Sequence, residues 1–127
     1  MKKNLKNGLA AQGYDVVSFH NNSPAKGSDN YRAEYDGGTY LLDSDQNRKT
    51  FEADPEKYDV QYGGYCAIAM SEGKEADPNP KSWEIRDGKL YFFTRMLWGI
   101  MDVKRQWVKD PETKRNLADA EWKKMNS

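Results

Sequence analysis

The chain has 127 residues, which suits one domain and leaves no room for two of ordinary size. Twenty basic and twenty acidic residues cancel and are interleaved; without a basic surplus, nucleic acid is set aside as a partner. Aromatic residues make up 13%, which argues against the disorder that a mean hydropathy of −1.04 would suggest, and no apolar run reaches the length that spans a bilayer.

Residues 1–12 read as a flexible lead-in with little to bury, followed by a single domain over 13–125. The lead-in begins with basic residues, but the apolar stretch of a signal peptide does not follow them in this chain. Tyr14 to Phe19 reads as a short strand, ended by the turn residues Asn21-Asn22-Ser23-Pro24. Tyr31, Ala33 and Tyr35 alternate with polar residues, Asp36-Gly37-Gly38 breaks the run, and Tyr40 and Leu42 resume it. That pattern predicts a hairpin over 31–42. Ser44 is placed to cap a helix through Phe51, which must stop near Asp54 because Pro55 follows.

A second hairpin is predicted over 83–93, with Trp83 and Ile85 on one arm, Asp87-Gly88 in the turn, and Leu90 and Phe92 on the return. Leu97, Ile100, Met101 and Val108 fall near helical spacing, joined by Trp107, so a helix is expected over 95–109, with Gly99 as its weak point. A last helix is expected from Pro111, with Leu117, Ala118 and Trp122 turned inward. Hairpins and short helices together predict an α+β domain, a small antiparallel sheet packed by helices.

Chemistry is concentrated in Tyr62-Gly63-Gly64-Tyr65-Cys66-Ala67-Ile68-Ala69-Met70. Paired glycines permit a tight turn or a close approach. A helix over 67–72 with Gly73 at its end would put Cys66 in the first turn, where free N–H groups favour a thiolate. A short buried strand is the alternative, with Cys66 an inert small hydrophobe. Met70 shares a face with Cys66, as two soft ligands for Cu(I) would, and His20 is the one histidine. Cys66 and His20 are too few for a structural zinc site, which needs four ligands. One cysteine excludes an internal disulfide. No phosphate loop, nucleophile elbow or zincin motif is present, and a Cys66–His20 pair would need folding to bring it together.

The chain resembles the YHS domain family, in particular a branch of small, usually exported bacterial proteins. The resemblance rests on Gly13-Tyr14-Asp15-Val16-Val17, on Ala33 to Gly37 with Tyr40-Leu41, on Phe51-Glu52-Ala53-Asp54-Pro55-Glu56-Lys57-Tyr58 and on Tyr62-Gly63-Gly64-Tyr65-Cys66-Ala67. Asp87-Gly88-Lys89-Leu90-Tyr91, Trp107 and Trp122 extend it. It implies an α+β fold and a periplasmic or secreted setting. The cysteines of metal-binding members fall at Asp43 and Asn47 here, and Val16 stands where the branch has proline, so that thiolate site does not carry over.

Three functions compete. The first is a binding module whose pocket, formed by Tyr14, Asp15, Tyr62, Gly64, Tyr65 and Cys66, holds a small molecule or a metal ion. Copper is the metal considered, held by Cys66, Met70 and His20. The second is a redox or enzymatic component using the Cys66 thiolate. The third is a protein-interaction domain in which Cys66 is structural. The first is preferred, since glycines and tyrosines beside a lone thiol suit a pocket better than a catalytic machine.

Overall fold

The computed structural model describes residues 2–96 and 101–127. Strands β1 (Leu5–Lys6) and β2 (Leu9–Ala10) form a small hairpin. Its turn residues Asn7 and Gly8 both have positive φ, the geometry that matches the twist of a two-residue hairpin. Helix α1 (Val16–His20) follows. Strands β3 (Ser28–Tyr35) and β4 (Gly38–Leu42) make the first predicted hairpin, with Ala33 opposite Tyr40 and Tyr35 opposite Gly38. The sheet order is β1-β2-β4-β3, with β2 parallel to β4.

Helix α2 (Asp45–Ala53) starts as Ser44 dictates: its Oγ accepts from the Asn47 N–H at 3.0 Å. Helices α3 (Pro55–Tyr58) and α4 (Ala67–Ser71) are short. Strands β5 (Asn79–Arg86) and β6 (Lys89–Phe93) form the second predicted hairpin, with Trp83 opposite Phe92 and Ile85 opposite Leu90. Strands β7 (Arg95–Met96) and β8 (Met101–Asp102) pair with each other, and helices α5 (Lys104–Lys109) and α6 (Pro111–Met125) close the chain. Among the described residues no helix is long and apolar enough to cross a membrane.

The architecture is α+β, but the two hairpins belong to separate sheets rather than to one. What joins them is packing. Residues 90–93 of β6 are buried on both sides of the strand. Leu90 and Phe92 join a first core with Val16, Phe19, Tyr40, Leu42 and Phe51. Tyr91 and Phe93 join a second with Cys66, Ile68, Met70, Trp107 and Ala118. The period-2 alternation of a strand thus serves two cores at once. Phe19 bridges to the second hairpin, with ring centroids 5.2 Å from Phe92 and 5.4 Å from Trp83.

Other expectations change at the level of single elements. Residues 16–20 are helical, not a strand, because Asp15 accepts from the N–H groups of Val17 and Ser18 and starts a helix that the β-branched valines alone would disfavour. The helix expected over 95–109 begins at Lys104. Arg95 pairs with Asp102 and Met96 with Met101, while Leu97 and Ile100 lie outside the described residues. In α6, Ala118 is buried and Trp122 packs beside the second core, but Leu117 is 48% exposed. The lead-in is also more engaged than its composition suggests. Ala10 and Ala11 enter the first core, and the Lys2 N–H donates to Asn126 Oδ1 at 2.9 Å.

Candidate functional site

The Tyr62-Gly63-Gly64 stretch is a turn in which all three residues have positive φ. A Cβ on Gly63 would lie 2.5 Å from the Lys2 carbonyl oxygen and 2.9 Å from the Trp122 ring. Its own carbonyl accepts from the Asn4 N–H at 2.8 Å, and the Tyr62 hydroxyl donates to Asp119 Oδ1 at 2.8 Å. Burial and the Asp119 carboxylate push that phenol's pKa upward. The glycines therefore serve a joint that clasps the N-terminal arm and α6. Gly64 is buried against Val60 and Asn4.

Cys66 follows as the N-cap of α4, one position before the expected first turn. Its N–H donates to the Ala76 carbonyl, it forms a single bridge to Phe92, and its Sγ accepts from the Thr94 N–H at 3.3 Å. It is 1% exposed. Helix α4 ends as predicted at Gly73: the N–H groups of Gly73 and Lys74 return to the Met70 and Ala69 carbonyls, a Schellman closure.

The residues expected around one pocket are divided between two places. Asp15 is fully buried and spends both oxygens on structure, accepting from the N–H groups of Val17, Ser18 and Asp43 and from Asn47 Nδ2. Tyr14 packs beside the first core under the Lys26 ammonium. Tyr62, Cys66 and Met70 are in the second core with Tyr65 at its edge. The His20 ring meets Tyr58 edge-on at 5.1 Å. A Cu(I) site of Cys66, Met70 and His20 does not fit this arrangement, since two donors are interior to one core and the third packs against the other. Among the described residues no group of three or more His, Cys, Asp or Glu side chains could hold a metal.

Open space lies elsewhere. A cleft of about 720 Å³ runs along Lys3, Tyr35, Asp59, Tyr62, Gly63 and Trp122. Its wall satisfies itself: Lys3 Nζ donates to the Tyr40 hydroxyl at 2.6 Å and to Asp59 Oδ2 at 3.1 Å, and Tyr40 donates to Asp59 Oδ1 at 2.7 Å. Burial raises the Asp59 carboxyl above the usual range, and the Lys3 ammonium opposes that rise. A smaller space of about 430 Å³ is lined by Tyr14, Lys26, Asp77 and Thr94, and Cys66 is not in its lining.

The third space, about 530 Å³, lies between the end of α1, the outer edge of β5, and the β7–β8 pair. Strand β5 pairs only with β6, so among the described residues its other edge is open toward the cavity. Trp83 and Ile85 supply apolar surface with the buried Phe19 behind them, and His20, Lys81, Arg95 and Lys104 stand around it. Both acids here are committed. Asp102 accepts from the Ser82 hydroxyl, the Lys104 N–H and Arg95 Nε. Glu84 accepts from Arg86 and from the Trp107 indole N–H. The ammonium groups of Lys81 and Lys104 have no carboxylate partner among the described residues. Burial, helped by the nearby Lys57 cation, lowers the His20 pKa, while a bond to the Tyr58 carbonyl works against this. His20 Nε2 is buried without a partner.

Sequence reasoning singled out only His20 among these residues. The rest come from five elements, and nothing in their spacing announces that they meet. Comparison with family models, with curated proteins and with solved structures gives no significant match.

Proposed function

We propose that the protein is a small-ligand-binding module whose site is the 530 Å³ cavity edged by β5, in place of the surroundings of Cys66. Its volume falls within the roughly 300–1,000 Å³ of small-molecule sites, and it combines apolar walls with a few polar groups. The observation that carries the reading is the pair of ammonium groups, Lys81 and Lys104, left without carboxylates around an aromatic floor while every acid nearby is engaged. The larger cleft offers no such imbalance, because free groups of both signs remain beside its closed Lys3–Tyr40–Asp59 network.

Binding is favoured over catalysis. The Ser82 hydroxyl donates to Asp102, Ser82 itself is 1% exposed, and the thiol of Cys66 is interior. No nucleophile here meets a base in a reachable position. The exported setting that the YHS resemblance implies belongs to the same proposal.

The test is a screen of small acids, amines and neutral ring compounds, read by shifts of individually assigned side-chain resonances. Binding that moves the Trp83 indole and His20 ring signals supports the cavity. Binding that moves Trp122 and Tyr62 instead would transfer the function to the larger cleft, and no binding at all would return the molecule to the protein-interaction reading.

A further inference from the structure

We infer that the ligand of the β5-edge cavity is a small organic anion, a planar ring bearing one carboxylate or phosphate group. The inference rests on the binding reading above and names its chemistry. Charge comes first. Over the whole chain basic and acidic residues balance at twenty each, so a local surplus is a matter of placement. Around this cavity Lys81, Arg95 and Lys104 face Asp102 and Glu84, and Glu84 is already matched by Arg86 at 2.7 Å. Arg95 spends Nε on Asp102 and Nη2 on the Lys81 carbonyl, leaving Nη1 unassigned among the described residues.

Lys81, Lys104 and Arg95 thus line a space whose two carboxylates are already engaged, beside the unpartnered Nε2 of His20. An incoming ammonium would find both carboxylates occupied and three cations opposing it. A carboxylate or phosphate would complete the hydrogen bonding that the protein itself leaves open, and charge-assisted bonds of this kind are the stronger class. A polyphosphate would bring more charge than two lysines and an arginine already paired to Asp102 balance.

The ring follows from the floor. Trp83 is partly exposed and is held edge-to-face by Phe19, with centroids 5.4 Å apart at 81°, so its plane is fixed before any ligand arrives. Ile85 extends that apolar surface. A fixed indole beside cations is a stacking surface for a flat acid, and pre-setting its orientation lowers the entropic cost of binding.

The experiment uses the intact chain with four probes that share a ring and differ in charge: benzoate, phenyl phosphate, benzyl alcohol and benzylammonium. Titrations are followed at the Trp83 indole N–H resonance. Benzoate and phenyl phosphate are expected to bind, the alcohol at least about tenfold more weakly, and benzylammonium not at all. Added salt should weaken the two anions and leave the alcohol unchanged. A Lys81→Gln/Lys104→Gln variant should lose about tenfold or more in benzoate affinity while its melting temperature stays with wild type, because neither ammonium has a carboxylate partner among the described residues. Equal binding of benzoate and benzyl alcohol in this cavity would overturn the anion assignment and leave the binding module standing. No response at Trp83 to any probe would overturn both.

Discussion

Cys66 shows how far a residue type can mislead when its partners are distant in the chain. The glycines before it and the short helix after it were legible, and both are present. What was not legible is Thr94, twenty-eight residues on, whose N–H takes the sulfur as acceptor, and β6, which covers it. A thiol enclosed in this way should react with an aromatic disulfide reagent only as fast as the protein opens. Reaction should therefore accelerate in step with unfolding as denaturant is raised, and rapid reaction in buffer would contradict the burial. Cys66→Ala should cost about 1–2 kcal/mol in chemical denaturation and leave benzoate binding unchanged.

His20 carries a pH signature with a definite sign. Its folded pKa is depressed by burial and by Lys57, so below the ordinary value of about 6.5 the unfolded chain takes up the proton first. Stability should fall as pH drops from about 6.5 until the folded ring also protonates. Lys57 is the charge that acts on the ring, and the charged residues lining the cavity it shares are Lys81, Glu84, Arg95, Asp102 and Lys104. Asp59 has the opposite sign, because its raised pKa favours the folded state as it protonates. The comparison that isolates His20 is therefore wild type against His20→Phe, whose acid-side slope in denaturant titrations should be shallower. Parallel curves would remove the effect.

At the scale of elements, period-2 alternation and Asp-Gly turns located both hairpins, and Ser44 and Pro55 bounded α2 correctly. Local rules failed where a single side chain outweighed propensity. Residues 14–19 look like a strand because valine and aromatic residues favour one, yet Asp15 caps a helix there and also holds the Asp43 N–H at 2.8 Å and Asn47 Nδ2 at 2.7 Å. Those last two bonds tie α1 to the start of α2, and no sequence signal announces them. Asp15→Ala would take the carboxylate from four donors, the Val17 and Ser18 N–H groups in the interior and those of Asp43 and Asn47 nearer the surface, so a loss of about 3 kcal/mol is expected in denaturant unfolding. A change under about 1 kcal/mol would mean that water replaces the carboxylate at no cost. The β7–β8 pair was missed for a related reason: the apolar spacing after Arg95 mimics a helix face, while the Arg95–Asp102 ion pair at 3.1 Å draws the ends of that segment together.

For the whole molecule, the fold class was readable because it depends on counting hairpins and helices. The site was not, because its residues meet through the order of packing around β6. With Leu90 and Phe92 facing one core and Tyr91 and Phe93 the other, neither core can loosen without disturbing a strand the other relies on. The cavity sits at the margin of this arrangement, on the edge of β5 that no other strand covers among the described residues. A ligand there would contact both α1 and the β7–β8 pair, elements that otherwise communicate chiefly through Phe19 and the second hairpin.

The bond between the Lys2 N–H and Asn126 Oδ1 has a topological meaning. It makes the described chain a ring closed by a single non-covalent link. Its two ends can be joined by a linker of a few residues and the ring reopened in the exposed segment 72–75, a circular permutation that cuts no strand and crosses neither core.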